Sequence, residues 1–309
     1  MCVNHGNTIP KEKLERIFEQ FYRLDTARTV SYTHLDVYKR QADRLAERGY
    51  RVLTYDLCKE EKIPRAKAAS SVKELTNAAD VLIYPIPFLK QKGVSGIEIS
   101  KRKEVLLNLR EGQFFFAGGI PKQLYRDMEA KGVHVFDLMD DKSLSVKNSV
   151  ATAEGMIAEA IIRSSRNLRE SRCMILGYGT CGRMLGSYLK GIGCEVGILE
   201  KSREACACAK ADGMQIIDAG TLERELEQMD IIFNTVPQVI LTAERLAYVQ
   251  KGAWILDIAS GAGGVDYTAA RRTGVQAVQL PGLPGKYAPC SSAEIIADTV
   301  LWKLRESVA

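Results

Sequence analysis

From residue 42 onward the hydrophobic positions follow two alternating rhythms. Stretches with apolar residues three and four apart, the helical period, are separated by short continuous apolar runs bounded by Gly, Pro, Asn or Asp. In the first half the pattern predicts a helix over 42–50 (ADRLAERGY) closed by Gly49, then strands over 51–55, 80–84, 113–116 and 134–136. A helix over 152–166 (TAEGMIAEAIIRSSR) follows, with Ser149 or Thr152 as a possible cap. The second half reads as strands over 173–176, 195–199, 214–217, 230–235, 253–259 and 275–280, with helices after the first two of them and a last helix over about 292–305. Helices alternating with short apolar strands predict an α/β protein with mostly parallel sheets. The layout is two Rossmann-like domains joined by a bridging helix, with the C-terminal helix packing back on the first domain. The expected partition is a substrate domain over 42–150, a bridge over 151–170, a dinucleotide-binding domain over 171–290 and a C-terminal helix over 291–309.

The first half opens on a helix, whereas a doubly wound domain opens on a strand, so its first strand and the loop after it are missing. Residues 1–41 do not replace them. Residues 5–28 (HGNTIPKEKLERIFEQFYRLDTAR) closely resemble part of the ATP-binding domain of sensor histidine kinases, but Asn7 stands in place of a glycine and no Gly-rich phosphate box follows. Residues 30–41 (VSYTHLDVYKRQ) resemble the adapter-derived translation that recurs in assembled environmental sequences. Residues 1–41 are therefore expected to be a foreign segment outside the fold. The alternative is an amphipathic extension that packs Leu14, Ile17, Phe18 and Phe21 on the body.

Composition narrows the class. The 309 residues are 46% hydrophobic and 26% charged, with a net charge of +5 and acids and bases interleaved, which excludes a nucleic-acid partner as the main business of the chain. No apolar run is long enough to span a membrane, and no signal sequence opens the chain, so a cytoplasmic protein is expected. The eight cysteines contain no CxxC pair, and Cys206 and Cys208 would point apart on a helix, so reduced thiols and no metal site are expected. Setting aside residues 1–41, His134 is the only histidine, which leaves histidine-based acid/base chemistry poorly supplied.

The strongest chemical signal is Gly177, Gly179 and Gly182 with Thr180 and Cys181 between them, a G-x-G-x-x-G that follows an apolar strand and opens a helix. Such a turn brings backbone amides and a helix N-terminus to a pyrophosphate. The next strand ends in Glu200, an acid placed to hold a ribose diol, which favours NAD. Lys201, Ser202 and Arg203 follow it and would receive a 2′-phosphate, which favours NADP, the preferred assignment; they also suit a solvated helix start capped by Ser202. Asn234, Thr235, Val236 and Pro237 end another strand and are expected to face the cofactor. Asp257 to Gly264 (DIASGAGG) and residues 281–289 (PGLPGKYAP) complete three loops on the edge where open α/β sheets bind ligands.

Taken in order, NSVATAEG (148–155), GYGTCGRM, NTVP, WILDIASGAGGVDY and LPGLPGKYAP make residues 42–309 resemble the A subunit of dipicolinate synthase. The resemblance implies an NADP-dependent oxidation of dihydrodipicolinate to dipicolinate during sporulation, in the mother cell of a spore-former and with the dipicolinate synthase B subunit as partner. A homo-oligomer is also expected. Candidates for the substrate carboxylates are Asn148, Ser149, Thr152, Ser260 and Lys286, with Asp257 as the candidate base. Gly261-Ala262 stands where the family tends to have Arg-Pro, which removes one contact for a substrate carboxylate. Two rivals stay open: a two-domain dehydrogenase on another small acid, such as an alanine or shikimate dehydrogenase relative, and a dinucleotide-binding subunit without turnover.

Overall fold

The computed structural model describes residues 32–55, 63–88 and 99–308. It begins with helix α1 (Tyr32–Glu47), ten residues ahead of the predicted helix start. Residues 32–41, expected to stand outside the fold, form the first turns of α1, where Val37 and Gln41 are buried. The Tyr38 hydroxyl donates to the Ile86 carbonyl at 3.1 Å and accepts from the Ile86 amide at 2.9 Å, which ties these turns to the body. The histidine-kinase-like block over 5–28, with Leu14, Ile17, Phe18 and Phe21, lies outside the described residues.

The first domain continues through β1 (Leu53–Thr54), β2 (Lys67–Ala68), α2 (Val72–Ala78), β3 (Val81–Ile83), α3 (Ile99–Leu107), β4 (Phe114–Ala117), α4 (Lys122–Ala130) and β5 (His134–Asp137). All pairings are parallel, in two separate sheets: β1 with β2, and β3-β4-β5 in that order. β4 is sandwiched on both faces, and Phe115 and Phe116 on it are wholly buried. This is the continuous apolar run that a two-sided parallel strand requires. Next to it Gln113 is buried with its amide satisfied, donating to the carbonyls of Thr76 at 2.8 Å and Ala79 at 2.7 Å.

The bridge is α5 (Lys142–Arg163), which starts ten residues before its predicted beginning. Asp141 caps it by accepting from the Leu144 amide at 2.8 Å, a stronger start signal than Ser149 or Thr152 further along. The second domain then runs β6 (Arg172–Leu176), α6 (Thr180–Ile192), β7 (Glu195–Leu199), α7 (Arg203–Ala211), β8 (Gln215–Ile216), α8 (Leu222–Leu226), β9 (Ile231–Asn234), α9 (Ala243–Leu246), β10 (Trp254–Asp257), α10 (Tyr267–Thr273), β11 (Gln276–Gln279) and α11 (Leu283–Tyr287). Its six parallel strands lie in the order β11-β10-β9-β6-β7-β8. The order reverses between β6 and β9, which opens a crevice beyond their carboxyl ends.

Helix α12 (Pro289–Val308) closes the chain and returns to the first domain. Ala297 and Leu301 pack against Leu45 of α1, with Val52 and Ile83 from the broken sheet beside them. Ion pairs Arg44–Glu294 at 2.9 Å and Arg48–Asp298 at 2.6 Å lie along the same contact. The α/β class, with two parallel-sheet halves, a bridging helix and a C-terminal helix that returns to the first half, is thus as the hydrophobic pattern predicts. No helix among the described residues is long and apolar enough to cross a membrane.

Candidate functional site

The crevice between β6 and β9 is lined by the two motifs singled out in the sequence. Gly177 has φ +91°, and a Cβ there would meet Thr235 Oγ1 and Val236 Cγ2, both at 2.6 Å. Thr235 in turn donates through Oγ1 to the Leu176 carbonyl at 2.9 Å, so the loop after β9 is clamped onto the glycine turn. At Gly182 a Cβ would lie 2.1 Å from the Gly177 carbonyl oxygen, which fixes how closely α6 enters the turn. Gly179 differs: a Cβ there meets nothing within 4 Å, and no side chain caps α6. An uncapped helix N-terminus facing open space, with Thr180 exposed and Cys181 half-buried behind it, is a place for an anion. The residues present therefore fit a dinucleotide pyrophosphate. Burial pushes the Cys181 thiol up, so it stays neutral beside that position.

Glu200 sits at the carboxyl end of β7, as expected. Its carboxylate accepts from the amides of Tyr178 (2.7 Å), Lys201 (2.7 Å) and Ser202 (2.9 Å). Burial opposes its ionisation, but these three amides outweigh burial and hold its pKa below the usual carboxylate value. Lys201, Ser202 and Arg203 are all exposed beside it, and the Ser202 hydroxyl caps α7 by accepting from Ala205 at 3.3 Å. Tyr178 is a support that the sequence reading did not name. It is buried, its hydroxyl donates to Asp212 at 3.0 Å, and burial together with that carboxylate pushes its pKa up to about 12.

Asn234 and Asp257 meet at the ends of adjacent strands, and both are wholly buried. Asn234 Nδ2 donates to Asp257 Oδ1 at 2.8 Å and to the Val236 carbonyl at 3.0 Å. Asp257 also accepts from the Ala259 amide, the Gly264 amide and the Tyr267 hydroxyl, each at 2.8 Å. With four donors on two oxygens, it organises the loop. The expectation of Asp257 as a base is corrected by this geometry, because a carboxylate so fully engaged has no lone pair turned to a substrate. Ser260 is exposed at the tip of the same loop, and Pro237 is exposed beyond Val236.

The candidates for the substrate carboxylates are not gathered at a helix start. Ser149 and Thr152 lie inside α5, buried, and return their hydroxyls to the carbonyls of Val146 (2.7 Å) and Asn148 (3.0 Å). Asn148 is half-buried on the same helix, so the anticipated row of free backbone donors at 148–152 is absent because the helix already began at Lys142. Lys286, on α11, pairs instead with Glu159 of α5. Glu159 is buried, and it also pairs with Arg163 and accepts from the Tyr287 hydroxyl at 2.6 Å. This node, reinforced where α11 crowds Gly155 with Leu283 Cβ 2.9 Å from a would-be Cβ, fastens the bridge to the loop after β11. Nothing in the sequence marks Glu159, since one acid inside an amphipathic helix usually faces water.

A two-domain α/β fold with a glycine turn at the switch point, an anchored acid on the next strand and an uncapped helix start defines a dinucleotide-binding protein of the dehydrogenase type. Comparison with known proteins bears this out: residues 145–269 match the D-isomer specific 2-hydroxyacid dehydrogenase, NAD binding domain, and residues 40–139 match the N-terminal domain of the dipicolinate synthase A subunit. The chain is 28% identical over 230 residues to the dipicolinate synthase A subunit of Bacillus subtilis, covering 73% of this chain and 77% of that protein. Crystal structures of the dipicolinate synthase A subunit from Bacillus halodurans and Bacillus subtilis share the fold, each with a TM-score of 0.73 and 23% identity. The matches cover 86% and 89% of this chain and 94% and 93% of those chains, respectively. The resemblance to the dipicolinate synthase A subunit read from the motifs therefore holds along both halves of the molecule.

Proposed function

We propose that this protein oxidises dihydrodipicolinate to dipicolinate with a nicotinamide dinucleotide, as an A subunit that works with a B subunit in the cytoplasm of a sporulating mother cell. The observation that carries the reading is the coincidence of a first domain like that of the dipicolinate synthase A subunit, residues 40–139, with a glycine turn built for a dinucleotide. The conversion removes a hydride and a ring proton from the partly saturated ring and leaves an aromatic product; a bound dinucleotide would supply the hydride acceptor, and the proton would pass to solvent. The chain's own part is to place the dinucleotide: the α6 start and Gly179 would hold the pyrophosphate, and Glu200 or its basic neighbours would take the adenosine ribose. The loop 258–264, anchored by Asp257, borders the same edge. Aromatisation provides the driving force, so orientation counts for more than a strong base.

For the dinucleotide, Lys201 and Arg203 support NADP, because both are exposed at the ribose end. Glu200 supports the alternative, NAD, because its carboxylate is held ionised and would repel a 2′-phosphate beside it, and Ser202 is already spent as a cap. The testing experiment follows dinucleotide reduction by the full chain on freshly generated dihydrodipicolinate, with and without the B subunit, for NAD and NADP separately. Reduction coupled to dipicolinate formation supports the reading. Tight dinucleotide binding with no reduction under either condition would leave a non-catalytic dinucleotide-binding subunit in its place.

A further inference from the structure

The register of the second sheet sets three polar side chains in a row at its carboxyl edge. Asn234 on β9 is opposite Asp257 on β10, and Asp257 is opposite Gln279 on β11. The first two fasten the loop after β9 and the root of the loop after β10. Gln279 plays no part in the site described above. It is half-buried at the end of β11, and its Nε2 donates to the carbonyls of Ala259 at 3.0 Å and Gly261 at 3.1 Å. Two carbonyl acceptors fix which end of the side-chain amide carries the nitrogen. The loop 258–264 is therefore held twice, at its root by Asp257 and at its tip by Gln279.

Peptide geometry turns these two hydrogen bonds into a direction. In a planar trans peptide the C=O and the N–H point opposite ways. The Ala259 carbonyl shares its peptide with the Ser260 amide, and the Gly261 carbonyl shares its peptide with the Ala262 amide. With both carbonyls turned to Gln279 on β11, both amides are turned away from it. Between them the chain bends through Gly261, at φ +69°, and the Gly263 amide closes the turn on the Ser260 carbonyl at 3.4 Å. Ser260, Gly261 and Ala262 are exposed, and among the described residues their amides donate to no protein group. Successive turn amides of this kind form a concavity for an anion.

We propose that Gln279 is a positioning residue for the substrate: by holding the Ala259 and Gly261 carbonyls it presents the Ser260 and Ala262 amides as a two-point receptor for a carboxylate. On the reading of the protein as an oxidoreductase of a ring dicarboxylate, which this role deepens and on which it rests, one of the two carboxylates is received by the backbone of the loop after β10. Each carboxylate oxygen accepts from one amide. Gly261 and Ala262 bring no charge of their own, so recognition depends on how the two donors are aimed. Gln279 acts only through those donors and touches no reacting atom.

The test uses the full chain, saturated with whichever of NAD and NADP it binds more tightly, and dipicolinate, the expected product, as the probe. Dipicolinate should slow exchange of the Ser260 and Ala262 amide hydrogens at least about tenfold, and the dinucleotide alone should leave them unchanged. Gln279→Met keeps the length of the side chain and removes both donors. It should weaken dipicolinate at least about tenfold by calorimetric titration while the dinucleotide dissociation constant stays within about twofold, a split that general loosening of the domain would not produce. If the native chain binds no dipicolinate, the proposed function fails and this role with it. Three results overturn the role of Gln279 alone: dipicolinate that binds without protecting the two amides, protection by the dinucleotide alone, or a Gln279→Met chain that binds dipicolinate as tightly as the native one. The exchange measurement needs no variant, and Gln279→Glu, equally long and ionised, repeats the titration where Gln279→Met does not fold.

Discussion

Asn234 donates through Nδ2 to Asp257 Oδ1 at 2.8 Å, joining the carboxyl ends of two neighbouring strands in a place with no exposure to solvent. The pair sets the height of two loops at once. Asn234 holds the Val236 carbonyl beside the glycine turn, and Asp257 gathers Ala259, Gly264 and Tyr267. Asp257→Asn turns an acceptor into a donor against donors already in place. The variant is expected to lose at least about 2 kcal/mol of stability in urea denaturation, on the scale of hydrogen bonds to buried charge. If stability were unchanged and only turnover fell, Asp257 would be acting on the substrate after all.

Two glycines of the same turn make a matched contrast. A methyl at Gly182 would collide with the Gly177 carbonyl at 2.1 Å, backbone against backbone, so Gly182→Ala should cost about 1–3 kcal/mol of stability together with dinucleotide binding. A methyl at Gly179 meets nothing within 4 Å. Gly179→Ala should keep the thermal midpoint and lose dinucleotide affinity at least tenfold, about 1.4 kcal/mol, by calorimetric titration. An unimpaired Gly179→Ala would mean that the pyrophosphate does not occupy the space before α6.

Much of this is legible in the sequence because buried parallel strands are written as plain apolar runs. The strand over 195–199 and the helix after it fall where the pattern puts them, and the glycine turn announces its own strand and helix. What is illegible shows why. The start of α5 is hidden because Asp141 and the polar first turns after it look like loop, and only the cap reveals them. The strands β1 and β2 have two residues each, too short for any period. Glu159 lies far in sequence from Lys286 and Tyr287, and their meeting depends on the packing of α11 against α5, which no local pattern encodes. Lys286 stands out in its proline-rich loop, yet the partner it finds is structural.

On the NAD reading proposed above, cofactor choice turns on Glu200: the Tyr178, Lys201 and Ser202 amides keep it ionised, and it would then accept from the ribose and repel a 2′-phosphate. Glu200→Gln should weaken NAD at least tenfold and tighten NADP, read as separate dissociation constants by fluorescence titration. Should the native chain prefer NADP, and Lys201→Ala with Arg203→Ala abolish that preference while Glu200→Gln leaves it, the basic pair would be the reader and the carboxylate a structural support.

The Glu159 node predicts the acid limb of stability. Burial alone would raise its pKa, but hydrogen bonds from Lys286 and Tyr287 and the nearby Arg163 charge overcome burial and hold it below its ordinary value of 4.5. A carboxyl depressed in the folded state contributes stability that is complete above its unfolded pKa and is lost as pH falls through the folded one. Stability measured by denaturant titration should therefore be insensitive to this group near pH 7 and fall as pH drops below about 4.5. Glu159→Gln should cost about 2–3 kcal/mol at pH 7, the scale of hydrogen bonds to a charged group, and should flatten the decline below pH 4.5. The node also spans two parts of the molecule, the bridge and the loop after β11, so its loss should reach the cofactor edge. Dinucleotide affinity in Glu159→Gln should fall even at pH 7, although Glu159 lies on α5, away from the glycine turn. A variant that lost stability while keeping both its affinity and its acid profile would show that the node fastens the fold without positioning the site.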